Sequence, residues 1–190
     1  MGASAASPGD YDVRHDVAGS LFGVSYTYYV DSYSAAKVFL FRTYYDAGGT
    51  VAATQMFDGK GGWTLSLDGS PWRTKTVHAD KSYDIRTYVA GTFAGLGYAS
   101  ADNVYDPSGV RLSVTFLDAG GATLASESFA ADGGFTINRG GVLYQQKTVH
   151  NAKSYDIRTY AAGAFQGVAY AYSDSVYDAS GVRQSVTYYD

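Results

Sequence analysis

Internal repetition constrains this chain more than any other feature. The hexapeptide Tyr83-Asp84-Ile85-Arg86-Thr87-Tyr88 recurs as Tyr155-Asp156-Ile157-Arg158-Thr159-Tyr160, and a diverged copy, Tyr11-Asp12-Val13-Arg14, precedes both at the same 72-residue spacing. Over residues 83–118 and 155–190, 24 of 36 positions are identical without a gap. The other half of the unit repeats as well. Lys75-Thr76-Val77-His78 returns as Lys147-Thr148-Val149-His150, and Gly61-Gly62-Trp63 returns as Gly133-Gly134-Phe135. In tandem arrays each copy buries its apolar surface against its neighbours, so one unit's pattern fixes the whole fold.

The chain therefore divides into a leader over residues 1–10 that reads as disordered, one unit over 11–82, a second over 83–154 and half of a third over 155–190. The last copy stops at Asp190, where the earlier ones run on through Asp46-Ala47-Gly48-Gly49 and Asp118-Ala119-Gly120-Gly121. It carries none of the polar capping that closes a repeat array. The array is expected to continue into flanking repeats, with self-association through uncapped ends as the alternative.

Each unit reads as a meander of about six short strands, in the second unit near 83–88, 93–105, 110–117, 122–130, 135–138 and 142–150. The connections Asp-Pro-Ser-Gly, Asp-Ala-Gly-Gly, Ala-Asp-Gly-Gly and Asn-Ala-Lys-Ser are hairpin turns. An Asp side chain caps the turn's amides, and Gly supplies the positive φ that closes a type I turn with a bulge. The acidic residues support this, being seventeen Asp and one Glu, Glu127. Asp suits turns where a helical protein would use Glu. Nineteen Tyr suit half-exposed strand faces.

Val110, Leu112, Val114 and Phe116 alternate with polar residues, the mark of a sheet with one dry face. In the preceding segment Leu96 and Tyr98 share one face, while Gly95, Gly97 and Ala99 leave the other small enough for a sheet layer or a flat ligand to approach. The first unit departs at Phe39 and Phe41, which replace Arg111 and Ser113. They face either a flanking neighbour or a ligand. The fold class is all-β, an antiparallel meander of 72-residue tandem repeats forming an elongated, solenoid-like stack.

Tyr105-Asp106-Pro107-Ser108-Gly109-Val110-Arg111 and Tyr177-Asp178-Ala179-Ser180-Gly181-Val182-Arg183 resemble the YD repeats of Rhs and teneurin-type proteins. The resemblance covers the hairpin core, about a fifth of each unit, and implies a hairpin-wound architecture, not an activity. More loosely, the Asp-, Gly-, Ala- and Tyr-rich texture resembles repeat regions of large exported bacterial proteins, including adhesins and glycan-active enzymes. That implies an extracellular or cell-surface location for the parent protein, although the first ten residues carry no signal peptide.

The chemistry to be expected is limited. A net charge of −4 with fourteen scattered Lys and Arg gives no phosphate-tracking stripe, so nucleic acid is not an expected partner. No apolar run reaches the roughly 20 residues of a membrane-spanning helix. There is no cysteine, no nucleophile elbow, no zinc-protease helix motif and no phosphate-binding loop. His78 and His150 occupy equivalent positions, which marks a repeated structural bond. Asp12 and Arg14, Asp84 and Arg86, and Asp156 and Arg158 lie two apart on one strand face and would stack into a charge ladder.

No cofactor is required, but calcium is the best-supported ion. Asp102, Asp106, Asp174 and Asp178, with Asn103, place hard oxygen ligands before a turn. Asx-rich turns without metal are the competing reading. For a polysaccharide partner the candidates are Tyr98, Tyr105, Tyr170, Tyr172, Tyr177 and Trp63, whose faces can stack on sugar rings. Such repeating rings equally form a cross-strand ladder that holds the sheet. The expected function is a non-catalytic repeat module of an exported or cell-surface bacterial protein, serving as structural spacer, carbohydrate-binding segment or both. The alternatives are a calcium-stabilised adhesin repeat and an accessory domain of a polysaccharide-degrading enzyme.

Overall fold

A computed structural model describes residues 9–190; most of the leader, residues 1–8, lies outside the described part. The described residues form strands and turns without helix, so the chain is all-β. The first unit contains β1 (Tyr11–His15), β2 (Gly19–Leu21), β3 (Val24–Tyr26), β4 (Tyr28–Tyr33), β5 (Phe39–Tyr45), β6 (Val51–Phe57), β7 (Trp63–Leu67) and β8 (Ser70–Val77). The second contains β9 (Tyr83–Thr87), β10 (Gly91–Phe93), β11 (Leu96–Tyr98), β12 (Ser100–Tyr105), β13 (Arg111–Leu117), β14 (Thr123–Phe129), β15 (Phe135–Arg139) and β16 (Val142–Val149). The half unit contains β17 (Tyr155–Thr159), β18 (Gly163–Phe165), β19 (Val168–Tyr170), β20 (Tyr172–Tyr177) and β21 (Arg183–Tyr189). Every strand boundary recurs 72 residues later. The sequence repeat is a structural repeat.

By contact density the chain splits at Tyr88 into two compact bodies. Within the first, the sheet order is β1-β4-β5-β6-β7-β8-β9, and within the second β12-β13-β14-β15-β16-β17-β20-β21, with antiparallel pairing at each step for which the register is resolved. The remaining strands form three separate hairpins, β2–β3, β10–β11 and β18–β19. Each unit thus has eight strands where six were expected. The segment read as one strand over 93–105 is broken twice and folds back over the main sheet as a flap.

The flap turns explain the miss. Phe22-Gly23, Ala94-Gly95 and Gln166-Gly167 each have positive φ at both positions, 49° and 90° in the first. That is the signature of a two-residue type I′ hairpin turn, normally announced by Asn-Gly or Asp-Gly. Here Phe, Ala and Gln occupy the first site, so the usual signal is missing and only the glycine remains. Gly95 is therefore a turn residue, not part of a small strand face, and Gly167 takes the same place in the third unit.

A second device sets each flap. Gly19, Gly91 and Gly163 are paired across the hairpin with Tyr26, Tyr98 and Tyr170. The tyrosine ring lies over the glycine so closely that a Cβ at Gly91 would stand 2.7 Å from the phenol carbon of Tyr98. An aromatic ring covering a cross-strand glycine pins register.

The longer turns follow the sequence reading. Asp46, Asp118, Asp106 and Asp178 each accept amide hydrogen bonds from residues two and four further on, as from Gly120 at 2.9 Å and Ala122 at 2.8 Å onto Asp118. Backbone bonds such as Gly121 N–H to Asp118 C=O close the turn, with Gly121 at φ 84°. Where the first turn residue is His, Asp gives way to a neighbour: Asp80 accepts from both the amide and the hydroxyl of Ser82. The excess of Asp over Glu follows from this geometry, since the shorter side chain reaches its own turn's amides.

The core lies between each flap and the sheet. In the first body Tyr44, Ala53 and fully buried Leu65 are packed by Leu21, Val24 and Tyr26 of the flap and by Trp63 and Trp72. In the second, Val114, Phe116 and Ala125 are covered by Phe93, Leu96 and Tyr98. The dry face expected over Val110, Leu112, Val114 and Phe116 is only half dry. Val114 and Phe116 are buried, whereas Val110 and Leu112 are exposed, because the flap covers only one end of β13. No helix of the described residues is long and apolar enough to cross a membrane.

Candidate functional site

The six aromatic residues with carbohydrate-stacking potential are all half-buried. Tyr98 packs on Phe116 at 4.9 Å between centroids, and Tyr170 on Tyr188 at 4.7 Å, both as flap residues lying on the sheet. Tyr172 stacks on Tyr189 at 4.6 Å and 9°, and Tyr177 on Tyr155 at 4.8 Å and 12°. Those two are directly opposite cross-strand pairs. Trp63 stacks against Phe22 at the tip of the first flap, 5.7 Å away. Tyr105 ends β12 opposite Arg111, beside a bulge. The structure does not gather these six rings into one place: they are distributed between flap seats and sheet pairs.

The four aspartates proposed for calcium have separate local roles. Asp106 and Asp178 are turn caps. The Ser108 hydroxyl and the amides of Val110 and Ser108 hold the Asp106 carboxyl below the usual carboxylate range. Asp178 also accepts from the Gln184 amide nitrogen at 2.7 Å. Asp174 is gripped bidentately by Arg158, at 2.7 and 2.6 Å, and that guanidinium lowers its pKa. Asp102 is half-buried on β12 opposite Thr115, and Asn103 accepts a long 3.3 Å bond from Arg111. Among the described residues, no three His, Asp or Glu side chains gather into a metal-sized group.

The charged strand residues pair differently from a simple ladder. Arg158 reaches across to Asp174 rather than along its strand, and Arg14 bonds Asp16. His78 and His150 each meet the strand aspartate six residues on, Asp84 and Asp156, with Nε2 to Oδ2 at 2.9 Å both times. The repeated histidine thus makes a repeated local bond. Phe39 lies between Tyr33 and Phe57, at 5.4 and 4.8 Å. In the second unit Arg111 occupies that place and covers the ring of Phe129 at 4.3 Å. A ring–ring contact in one unit stands where the other has a cation–π contact.

One cluster escaped the sequence reading. Asp31 is 3 % exposed. Arg42 holds it from the neighbouring strand with two bonds, Nε to Oδ1 at 2.5 Å and a terminal nitrogen to Oδ2 at 2.8 Å. The pairing with Asp31 raises the Arg42 pKa beyond its already high value, against a burial effect of opposite sign. The guanidinium lies 4.0 Å over the ring of Tyr29, and the His15 ring stacks on the same tyrosine at 4.5 Å. His15 Nε2 is buried 3.2 Å from Asp31 Oδ2 but lacks hydrogen-bond geometry. Below, the Tyr44 hydroxyl donates to Gln55 at 2.8 Å, and burial pushes the Tyr44 phenol up.

The signal was present in the departures from the repeat. Asp31, Arg42, His15 and Tyr29 stand where the second unit has Asn103, Val114, Thr87 and Ala101. Four simultaneous substitutions at positions that meet in space mark one coupled group. Chemically it is an ion pair clamped between strands, with both Asp31 oxygens held by Arg42 and one ring nitrogen of His15 buried beside them without a hydrogen bond.

A scan against protein-family models finds no match, and a search of the curated proteins finds none.

Proposed function

We propose that this chain is a non-catalytic structural module, a β-sheet spacer belonging to an exported repeat protein. The observation that carries the reading is the occupation of its aromatic rings. Tyr172, Tyr177 and Trp63 each stack on another ring of the same body, and Tyr98 and Tyr170 pack on one at a tilt. A sugar platform needs ring faces turned to solvent, whereas a cross-strand ladder uses them to hold register.

Recurrence supports the non-catalytic side. The histidines make the same bond twice, and the turn aspartates cap the same amides four times. A catalytic group is ordinarily unique and has a perturbed proton affinity serving one site. The test is a binding screen of the purified chain against neutral and acidic polysaccharides, with and without calcium, read by tyrosine and tryptophan fluorescence. The spacer reading expects no saturable change. Saturable binding to any glycan would overturn it, and loss of that binding on chelation would bring the turn aspartates into the site.

A further inference from the structure

The chain has no cysteine, so no disulfide can join its strands. Tyrosine is plentiful instead, and several of these residues form parallel cross-strand pairs. Tyr11 stacks on Tyr33 at 5.2 Å and 11°, Tyr28 on Tyr45 at 4.7 Å and 8°, Tyr155 on Tyr177 at 4.8 Å and 12°, and Tyr172 on Tyr189 at 4.6 Å and 9°. Each pair stands directly opposite in the register of two antiparallel strands. In each body the pairs share a middle strand. Tyr33 and Tyr28 tie β4 to β1 and to β5, and Tyr177 and Tyr172 tie β20 to β17 and to β21. The two tyrosines of a middle strand lie an odd number of residues apart, which places them on opposite faces of the sheet.

Two phenols held in this way can be joined. Each gives one electron to an oxidant and its hydroxyl proton to a base, leaving a phenoxyl radical with spin at the Cε carbons beside the oxygen. Coupling forms one Cε–Cε bond; the hydrogen on each bonded carbon then leaves as a proton while each oxygen regains one. Both rings end as phenols, two hydrogen atoms are lost in total, and two equivalents of a one-electron oxidant are reduced. Free phenols must first meet in solution, whereas a stacked pair is already in place, and such preorganisation accelerates a reaction by orders of magnitude. Tyr11 is exposed and the other seven rings are half-buried, within reach of a small oxidant. One pair also has a base at hand: the Asp174 carboxyl, held below its usual range chiefly by Arg158, takes a hydrogen bond from the Tyr189 hydroxyl. Tyr26 and Tyr44 touch as well, but at 57°, with Tyr44 buried and its hydroxyl donated to Gln55. That pair belongs to the core.

We propose that the pairs Tyr11–Tyr33, Tyr28–Tyr45, Tyr155–Tyr177 and Tyr172–Tyr189 are sites of oxidative modification, each converted by a one-electron oxidant into a dityrosine staple between neighbouring strands. A staple closes a loop of chain and restricts the unfolded state, as a disulfide does. The coupling rests on ring geometry alone; its use as a staple rests on the spacer reading, in which resistance to unfolding is what the module supplies.

The test treats the dilute full chain with hexachloroiridate(IV), a small one-electron oxidant, and reads dityrosine fluorescence, intact mass and linked peptides. The expected product is monomeric and lighter by two hydrogens per link, with Tyr28 joined to Tyr45 and Tyr172 to Tyr189 among the linked peptides. Its unfolding in urea should be at least about tenfold slower than that of the untreated chain. A fourfold variant, Tyr11→Phe, Tyr28→Phe, Tyr155→Phe and Tyr172→Phe, keeps a ring at every position but leaves one phenol per pair, and should form at least about tenfold less dityrosine. The single variant Tyr28→Phe should lose the link to Tyr45 and keep that of Tyr172 to Tyr189. Equal yield from the fourfold variant, links formed only between molecules, or coupling no faster in the native chain than in the urea-unfolded one would overturn the modification sites. Links that form without slowing unfolding would overturn the staple. None of these readouts involves a glycan, so saturable binding in the polysaccharide screen would overturn the spacer reading and leave the coupling itself untouched.

Discussion

The two flap seats, around Leu65 in the first body and around Phe116 in the second, share a backbone and differ in chemistry. In the first body a buried ion pair, Asp31 with Arg42, and a Tyr44–Gln55 hydrogen bond stand beside Leu65. In the second, Val114 and Phe116 occupy the Arg42 and Tyr44 positions, Asn103 replaces Asp31 and Glu127 replaces Gln55. Strand boundaries do not move. Topology is therefore fixed by what the units share, the Asp-capped turns, the two-residue flap turns and the glycine–tyrosine pairs. What fills the seat is free to change.

The largest effect should come from the apolar centre. Leu65→Ala removes a fully buried side chain and should cost about 3 kcal/mol, against about 1 kcal/mol for Ile137→Val. Chemical denaturation of both variants measures the difference, and an unchanged midpoint for Leu65→Ala would mean that the first flap is not seated. Next, Asp31→Ala strands Arg42 and should cost about 2 kcal/mol, less than a fully buried pair because the guanidinium is partly solvated. The corresponding Asn103→Ala should cost well under about 1 kcal/mol. Equal costs would contradict the contrast between the seats.

A turn cap ranks third. Asp118→Ala forfeits two amide bonds and should cost about 1 kcal/mol, by analogy with the loss of a helix cap. The smallest effect concerns acid. The carboxyls of Asp80, Asp106 and Asp174 are held low by hydrogen bonds to Ser82, to Ser108 and to Arg158 respectively. Their stabilisation is present above the unfolded-state pKa, near 3.8, and is lost as pH falls through the lower folded values.

Glu127 runs the other way. Burial raises its pKa, so it opposes folding above the folded value and ceases to do so once protonated. Glu127→Gln, which restores the residue of the first unit, should stabilise slightly at pH 7 and make no difference at acid pH. Denaturant midpoints across pH 2.5 to 7, chosen to bracket these ordinary carboxylate values, would show it.

Much of the fold was legible because repetition and turn chemistry are local. Asp106 and Gly109, or Asp118 and Gly121, announce their turns within four residues. The flap was not, since Ala94-Gly95 and Gln166-Gly167 lack the Asn or Asp that marks a type I′ turn, and the ring of Tyr98 over Gly91 is visible only once the hairpin is folded. The aromatic positions were readable as residues but not as roles. Tyr172 looks the same in sequence whether its ring meets Tyr189 or a sugar. The Asp31 cluster required comparing units for what differs rather than for what recurs.

If the first two flaps are held by the strands that follow them, backbone hydrogen exchange in the unmodified chain shows it directly. A two-stranded hairpin alone is marginal in water. The prediction is strong protection of β2–β3 and β10–β11, with β18–β19 exchanging at least tenfold faster. Equal protection of all three hairpins would contradict the claim.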